Sequence, residues 1–138
     1  MDSNYKKLTQ KTKSEILTLS SLQDGWKEES QKGSSTLFTR KYNDAPISLV
    51  KIISKVPSNI EKCKDFYFED LNGQHECKED SEFIKEIEKI DENTKIVFSK
   101  LKGKMLVSGR EILVISHLEK TEKGYIVLKS NLDSHSGA

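Results

Sequence analysis

The feature that most constrains the fold is a long β-strand signal from Met105 to Leu118, which contains the uninterrupted apolar run Ile112–Ile115. Side chains alternate across a strand, so such a run puts apolar groups on both faces of a sheet. Each face must then be covered by protein or border a hydrophobic hollow. Arg110 and Glu111 stand directly before the run, and an unpaired buried guanidinium would be very costly. Two interpretations of Arg110 remain open: pairing with a neighbouring carboxylate, or a polar handle beside a ligand cavity.

Further strands are predicted on both sides of this run. The β-branched and aromatic content of Thr94–Leu101 and Tyr125–Lys129, with turn residues between them, predicts an antiparallel meander. Thr36–Tyr42 and Ile47–Val56 predict an earlier pair of strands. The segment Phe83–Ile90 is ambiguous, because its apolar residues recur at the three- and four-residue spacing of a helix.

Two helices complete the pattern. Apolar residues at helical spacing predict a first helix over Tyr5–Leu19. A second helix is expected to be capped by Ser58 and to end at Asn72-Gly73, followed by a loop over Gln74–Asp80. The order of elements predicts an α+β fold.

Composition limits the classes of protein. The 138 residues carry a net charge of +1, with 34% hydrophobic and 33% charged residues, which fits a single domain over residues 1–138. A near-neutral total argues against a dedicated nucleic-acid binder. The two cysteines form no CxxC motif, and the N-terminus lacks the apolar core of a secretory signal. A protein of the reducing cytosol, hence a cytoplasmic location, is expected.

The charge is unevenly distributed along the chain. Residues 58–92 contain 5 Lys against 12 Asp and Glu, a balance of −7, whereas residues 93–130 contain 7 Lys and 1 Arg against 3 Glu, a balance of +5. This asymmetry fits either a solvated surface of mixed sign or transient contact with an anionic membrane surface.

Catalytic motifs are missing from the sequence. There is no GxSxG, no glycine-rich phosphate loop and no HExxH, so no catalytic residues are predicted and the chain is not expected to be an enzyme. His75-Glu76-Cys77 lacks a third and a fourth donor at metal-ligand spacing, so no metal site and no cofactor are predicted either.

Four segments in order resemble the START domain, the steroidogenic-acute-regulatory-related lipid transfer domain. They are Asp24-Gly25-Trp26, Leu49–Ile53 leading into Val56-Pro57, Glu88–Val97, and Val107–Ile115. The resemblance extends from about Leu8 to Ser130. It implies a helix-grip fold, in which a curved antiparallel sheet wraps a long C-terminal helix around a lipid-sized cavity. It also implies that the ambiguous segment before residue 91 is a strand.

The departures from the family pattern bear on the ligand. Where sterol carriers of the family pair a glutamate with an arginine in the cavity, the matching positions here are Ser99 and Ser116. Cys77-Lys78 stands where the family has Trp-Asp, and Arg110-Glu111-Ile112 where it has Arg-Asp-Phe. The resemblance therefore implies a phospholipid, a fatty acid or another apolar ligand rather than cholesterol.

The predicted lipid site has apolar walls and two polar handles. The handles are Arg110 and Ser108, and the predicted wall residues are Ile96, Phe98, Leu113, Ile115, Ile126 and Leu128. The sequence alone does not say which face of the strands lines the cavity. Each CH₂ group buried there would contribute about 0.8 kcal/mol.

The chain stops where the family continues with further strands and the long helix. A sheet without that helix would expose an apolar face, so we expect a homo-oligomer, strand exchange, or cover by the N-terminal helix. Three functions follow. The first is non-catalytic lipid binding, with or without transfer between membranes. The second is a truncated interaction or oligomerisation module without lipid, and the third is an enzyme of the helix-grip group.

Overall fold

The computed structural model describes residues 3–22, 24–46, 48–103 and 109–132. In chain order the elements are α1 (Ser3–Ser21), β1 (Lys27–Lys32), β2 (Ser35–Arg40), β3 (Leu49–Ser54), α2 (Ile60–Phe68), α3 (Leu71–Glu76), β4 (Ser81–Asp91), β5 (Thr94–Leu101), β6 (Arg110–Thr121) and β7 (Gly124–Asn131). The strands form two antiparallel sheets, ordered β1-β2-β3 and β4-β5-β6-β7. The predicted α+β class and the antiparallel meander are confirmed.

The chain divides into two compact units. One comprises residues 1–13 and 59–138 and contains the four-stranded sheet with α2 and α3. The other comprises residues 14–58 and contains the three-stranded sheet. Each unit is described separately below.

The four-stranded sheet has two distinct faces. The β5–β6 register is regular, with Ile96 opposite Ile115 and Phe98 opposite Leu113. These side chains share what we call the α1 face, because Glu119 and Ser130 of this face contact Lys13 and Thr12 in the middle of α1. The Lys13 Nζ lies 2.5 Å from a Glu119 carboxylate oxygen, and Thr12 donates a hydrogen bond to the Ser130 hydroxyl at 3.0 Å.

The opposite face of this sheet packs against α2 and α3, and we call it the α2 face. It carries the side chains that alternate with those of the α1 face. The Lys95 Nζ lies 4.4 Å from the centre of the Phe68 ring, and the Lys129 Nζ donates a hydrogen bond to the Gln74 side-chain oxygen at 3.2 Å. Helices α2 and α3 therefore cover this face of the sheet.

The three-stranded sheet is much more exposed. All six residues of β1 are exposed and polar, so their sequence carries no β-strand pattern and the strand was not predicted. The two-residue loop Gly33-Ser34 between β1 and β2 is the hairpin signal that indicates it. Trp26, before β1, is half-buried, and its ring nitrogen donates a hydrogen bond to the Leu19 carbonyl at 3.0 Å.

The segment Phe83–Ile90 lies in strand β4. The helix that its apolar spacing suggests is therefore wrong, and the strand implied by the family resemblance is confirmed. Its register with β5 shifts three times, between Ser81 and Phe83, Glu86 and Glu88, and Lys89 and Asp91. Each bulge inserts one extra residue, so apolar residues recur at intervals of three or four instead of two.

The end of the second predicted helix also needs correction. Asn59 rather than Ser58 caps α2, with its side-chain oxygen accepting from the Lys62 amide at 2.8 Å. Asn72-Gly73 does not end a helix but lies inside α3, because Asp70 caps a new helix by accepting from the Gly73 amide at 2.9 Å. The predicted loop over Gln74–Asp80 is therefore helical at its start.

We expect the Lys13–Glu119 pair to help hold α1 against β6. Lys13 lowers the pKa of the Glu119 carboxyl below its ordinary value of 4.5, chiefly through their hydrogen bond. The Lys13→Gln variant should have a free energy of unfolding about 0.2–1 kcal/mol lower than that of the wild type at pH 7, which is the usual contribution of a partly exposed ion pair. Because the carboxyl is ionised only above its folded pKa, this difference should vanish as the pH falls below 4.5.

Chemical denaturation of both proteins at several pH values measures this effect. Lys7→Gln, at an exposed position on the same helix, controls for general loss of positive charge. A Lys13→Gln difference that stays the same when the Glu119 carboxyl becomes protonated would show that the contact does not depend on the ionised carboxylate.

Candidate functional site

A groove lies between α2 and β7, on the α2 face of the four-stranded sheet. It has a volume of about 450 Å³, within the ~300–1,000 Å³ range of small-molecule sites. Seven residues line it: Ile60, Cys63, Lys64 and Tyr67 from α2, and Tyr125, Val127 and Lys129 from β7. We call it the α2–β7 groove. Its walls are aliphatic and aromatic, with two ammonium groups, and they suit an apolar ligand with a polar end.

A glycine is present where the hairpin before β7 meets the first residue of α2. Gly124 has φ +151°, and a Cβ atom built there would lie only 2.6 Å from the Cδ1 of Ile60. Only glycine fits this contact without a shift. The helix and the strand therefore meet at this end of the groove.

Charged groups lie around the Tyr125 ring. The Tyr125 hydroxyl donates a hydrogen bond to a Glu61 carboxylate oxygen at 2.6 Å, and this bond is the main reason that the pKa of Tyr125 is raised. The Lys64 Nζ lies 2.8 Å from an Asp65 oxygen and 5.5 Å from the centre of the Tyr125 ring. The hydrogen bond to Asp65 raises the pKa of Lys64, so this ammonium has a carboxylate partner already.

Lys129 has a different environment. Its ammonium bonds to the neutral side chain of Gln74, and none of the ion pairs among the described residues includes it. Burial lowers the pKa of Lys129, and the positive charges of Lys78 and Lys95 lower it further. The residue as a whole is exposed, so only its ammonium end, which bonds to Gln74, is partly withdrawn from water.

A second, small cavity of about 20 Å³ adjoins the groove, and Tyr67 and Lys129 line both spaces. Its other lining residues include Gln74 and Ser116. Ser116 is only 2% exposed, and its hydroxyl is the one buried side-chain oxygen or nitrogen of the described chain without a hydrogen-bond partner. Such a group is costly to bury and is often explained by a bound molecule.

The structure separates the predicted site residues. All six predicted wall residues share the α1 face, with Ile96, Ile115 and Leu128 buried and the other three half-buried. The α2–β7 groove is lined from the opposite face. That the six residues bound a lipid cavity stays a prediction, and the helix-side groove is a site that sequence reasoning missed.

The predicted polar handle Arg110 lies on the opposite face of the sheet from the six wall residues. Arg110 is exposed at the start of β6, opposite Leu101, and alternation places it on the α2 face. It lies six residues along β6 from Ser116, which is about 20 Å in a strand. Ser108 lies outside the described residues.

Side chains that could bind a metal ion are not clustered among the described residues. They contain no group of three His, Cys, Asp or Glu side chains able to hold a metal ion. His75 bonds to the Ser81 hydroxyl at 2.7 Å. No described helix combines the length and apolar character required to cross a bilayer.

Comparison with solved structures shows which fold this is. Human StAR-related lipid transfer protein 5 superposes with a TM-score of 0.82 at 14% identity, over 99% of this chain and 69% of that one. The human StarD13 (DLC2) lipid transfer and protein localization domain gives 0.71 at 21%, over 95% and 68%. A Xanthomonas axonopodis StAR-related lipid transfer protein fragment gives 0.70 at 14%, over 79% and 61%. The chain thus spans 61 to 69% of the length of these three structures.

No curated protein sequence matches the chain. These likenesses establish the helix-grip fold, although within the described residues no long helix follows β7. The START domain family model matches residues 9–137. Since this match covers nearly the whole sequence, the chain belongs to the START domain family.

Proposed function

We propose that the chain binds a lipid non-catalytically, with its acyl part in the α2–β7 groove. The observation that carries this proposal is a groove of about 450 Å³ with aliphatic and aromatic walls, in a member of the START domain family. Burying an acyl chain there removes apolar surface from water, at about 0.8 kcal/mol for each CH₂. The solved neighbours named as lipid transfer proteins support the same assignment.

Native mass spectrometry of the purified chain, followed by lipid extraction, tests the proposal. We expect the mass of the chain plus one acyl lipid, and recovery of that lipid in the extract. A bare chain that takes up no lipid after incubation with phosphatidylcholine vesicles contradicts the proposal. Movement of a fluorescent phospholipid from donor to acceptor vesicles would extend the function from binding to transfer through transient membrane contact. We propose that the chain acts in the cytoplasm.

The two predicted polar handles and the six predicted wall residues are tested separately by substitution. The Arg110→Ala variant leaves both lipid uptake and thermal stability unchanged if Arg110 is neither a handle nor a structural partner. Ser108→Ala gives the corresponding test for the second handle. The six residues of the α1 face are tested through Ile115 in the Discussion.

One observation favours a second function, self-association through β3. Val50, Ile52 and Ile53 are 61%, 64% and 57% exposed, and β3 is at the edge of the three-stranded sheet in the described chain. An exposed apolar edge strand is a template for pairing with another chain. The partner we propose is a second copy of this chain, which forms a homo-oligomer.

The Ile52→Lys variant should weaken this association because it places a charge in the apolar edge. We expect the wild type to sediment as an oligomer at moderate concentration and the variant as a smaller species. Glu28→Lys, on exposed β1 of the same sheet, is the control for added positive charge. A wild type that sediments as a monomer contradicts the proposal.

A further inference from the structure

The inference concerns three neighbouring residues of the four-stranded sheet, one each on β5, β6 and β7, close to α3. Ser116 is the register partner of Lys95 on β5 and of Lys129 on β7, so the three side chains stand side by side on the α2 face. The Ser116 hydroxyl is buried and has no partner among the described residues, and it borders the small cavity together with Lys129. A hydroxyl donor and an ammonium donor therefore line one small space.

The charges around this space favour an anion. The Lys129 ammonium bonds only to an uncharged amide in the contacts described, and the Lys95 ammonium lies 3.9 Å from Glu86, at the far limit of an ion pair. Lys78 adds a third positive charge that acts on Lys129. An entering anion would be attracted by all three lysines and would relieve their mutual repulsion.

The size of the space favours a carboxylate over a larger head group. About 20 Å³ accommodates a group the size of one water molecule, such as a single carboxylate oxygen. Tyr67 and Lys129 line both this space and the α2–β7 groove, so a ligand can place its charged end near Ser116 and its alkyl chain in the groove. Charge-assisted hydrogen bonds from an ammonium and a hydroxyl suit a carboxylate.

We propose that Lys129 and Ser116 bind the carboxylate of an unesterified fatty acid, with Lys95 contributing positive charge to the same site. This inference rests on the proposed lipid-binding function and specifies the class of ligand. It predicts that the chain discriminates a fatty acid from an uncharged lipid of equal length.

Titration calorimetry with decanoate and decan-1-ol, which have the same chain length, tests the inference. We expect the wild type to bind decanoate more tightly than decan-1-ol. Lys129→Met should lower the ratio of the decanoate affinity to the decan-1-ol affinity by roughly 10- to 100-fold, the loss expected for a hydrogen bond to a charged group. Lys123→Met, at an exposed position of the β6–β7 turn, should change neither affinity.

A second variant tests the hydroxyl separately. Ser116→Ala should also reduce the preference for decanoate, without lowering the thermal stability, because it removes a buried hydroxyl that has no partner. If Lys129→Met does not fold, the Ser116→Ala result decides. Tighter binding of decyl phosphate than of decanoate would overturn the carboxylate assignment in favour of a phosphate head group.

The remaining outcomes separate the two proposals. If the wild type binds decanoate and decan-1-ol equally, or if both variants keep the preference for decanoate, the small cavity holds water only and the inference fails while lipid binding stands. If the wild type binds neither compound, lipid binding itself fails.

Discussion

The Ile115→Ala variant is expected to lose about 2–5 kcal/mol of its free energy of unfolding, the range for truncating a buried aliphatic side chain. Ile115 is 1% exposed and stands beside Ile96, which is fully buried, in the centre of the α1 face. Because Ile115 and its neighbour Ile96 have almost no contact with solvent, the cavity left by the truncation is enclosed, and little relaxation can refill it. Urea denaturation followed by circular dichroism measures the change.

The same variant tests whether the α1 face lines the lipid cavity. If Ile115 only packs the core, Ile115→Ala should still bind decan-1-ol with wild-type affinity under conditions where it is folded. A change of tenfold or more in that affinity would instead support the sequence-based prediction that this residue is a cavity wall. Ile112→Ala, on the opposite face of the same strand and half-buried, is the matched control and should lose less stability.

The Val127→Asp variant should weaken decan-1-ol binding by roughly 100-fold or more, because an ionised carboxylate in an apolar groove opposes burial of the alkyl chain. Val127 lines the groove opposite α2 and is half-buried. The uncharged alcohol is the right probe, since it excludes direct repulsion between like charges. Calorimetric titration gives the affinity, and thermal unfolding confirms that the variant is folded.

Two further variants make the Val127 result interpretable. Asn131→Asp adds the same charge to an exposed position of β7 and should leave the affinity unchanged. Val127→Ala removes apolar contact without adding charge and should have a much smaller effect than Val127→Asp. Wild-type affinity in a folded Val127→Asp protein would remove the α2–β7 groove from the proposal.

The meander could be predicted because its strands follow simple local rules. The predicted bounds of β5 match the structure, and the turn at residues 122–123 joins β6 to β7 as expected. These strands have strong β-branched content and short polar turns, so local propensity agrees with the fold. In β4 three bulges disrupt the alternation, and only the resemblance to a family gave the right structure.

The site was harder to predict than the fold. Alternation puts the six predicted wall residues on one face of the sheet, but nothing in a strand pattern says which helix covers which face. The groove depends on where α2 packs, and that contact joins residues far apart in sequence, such as Ile60 and Gly124. The unpartnered hydroxyl of Ser116 is likewise visible only once α3 and β7 are in place.

The glycine at the start of β7 has a consequence for the mouth of the groove. The backbone angle at Gly124 is one that L side chains rarely adopt, so any other residue there would strain the hairpin between β6 and β7. A Cβ atom would also meet the terminal methyl group of Ile60, and that side chain would have to turn away. A substitution at this position would therefore change the entrance of the groove through the hairpin backbone and the rotamer of Ile60.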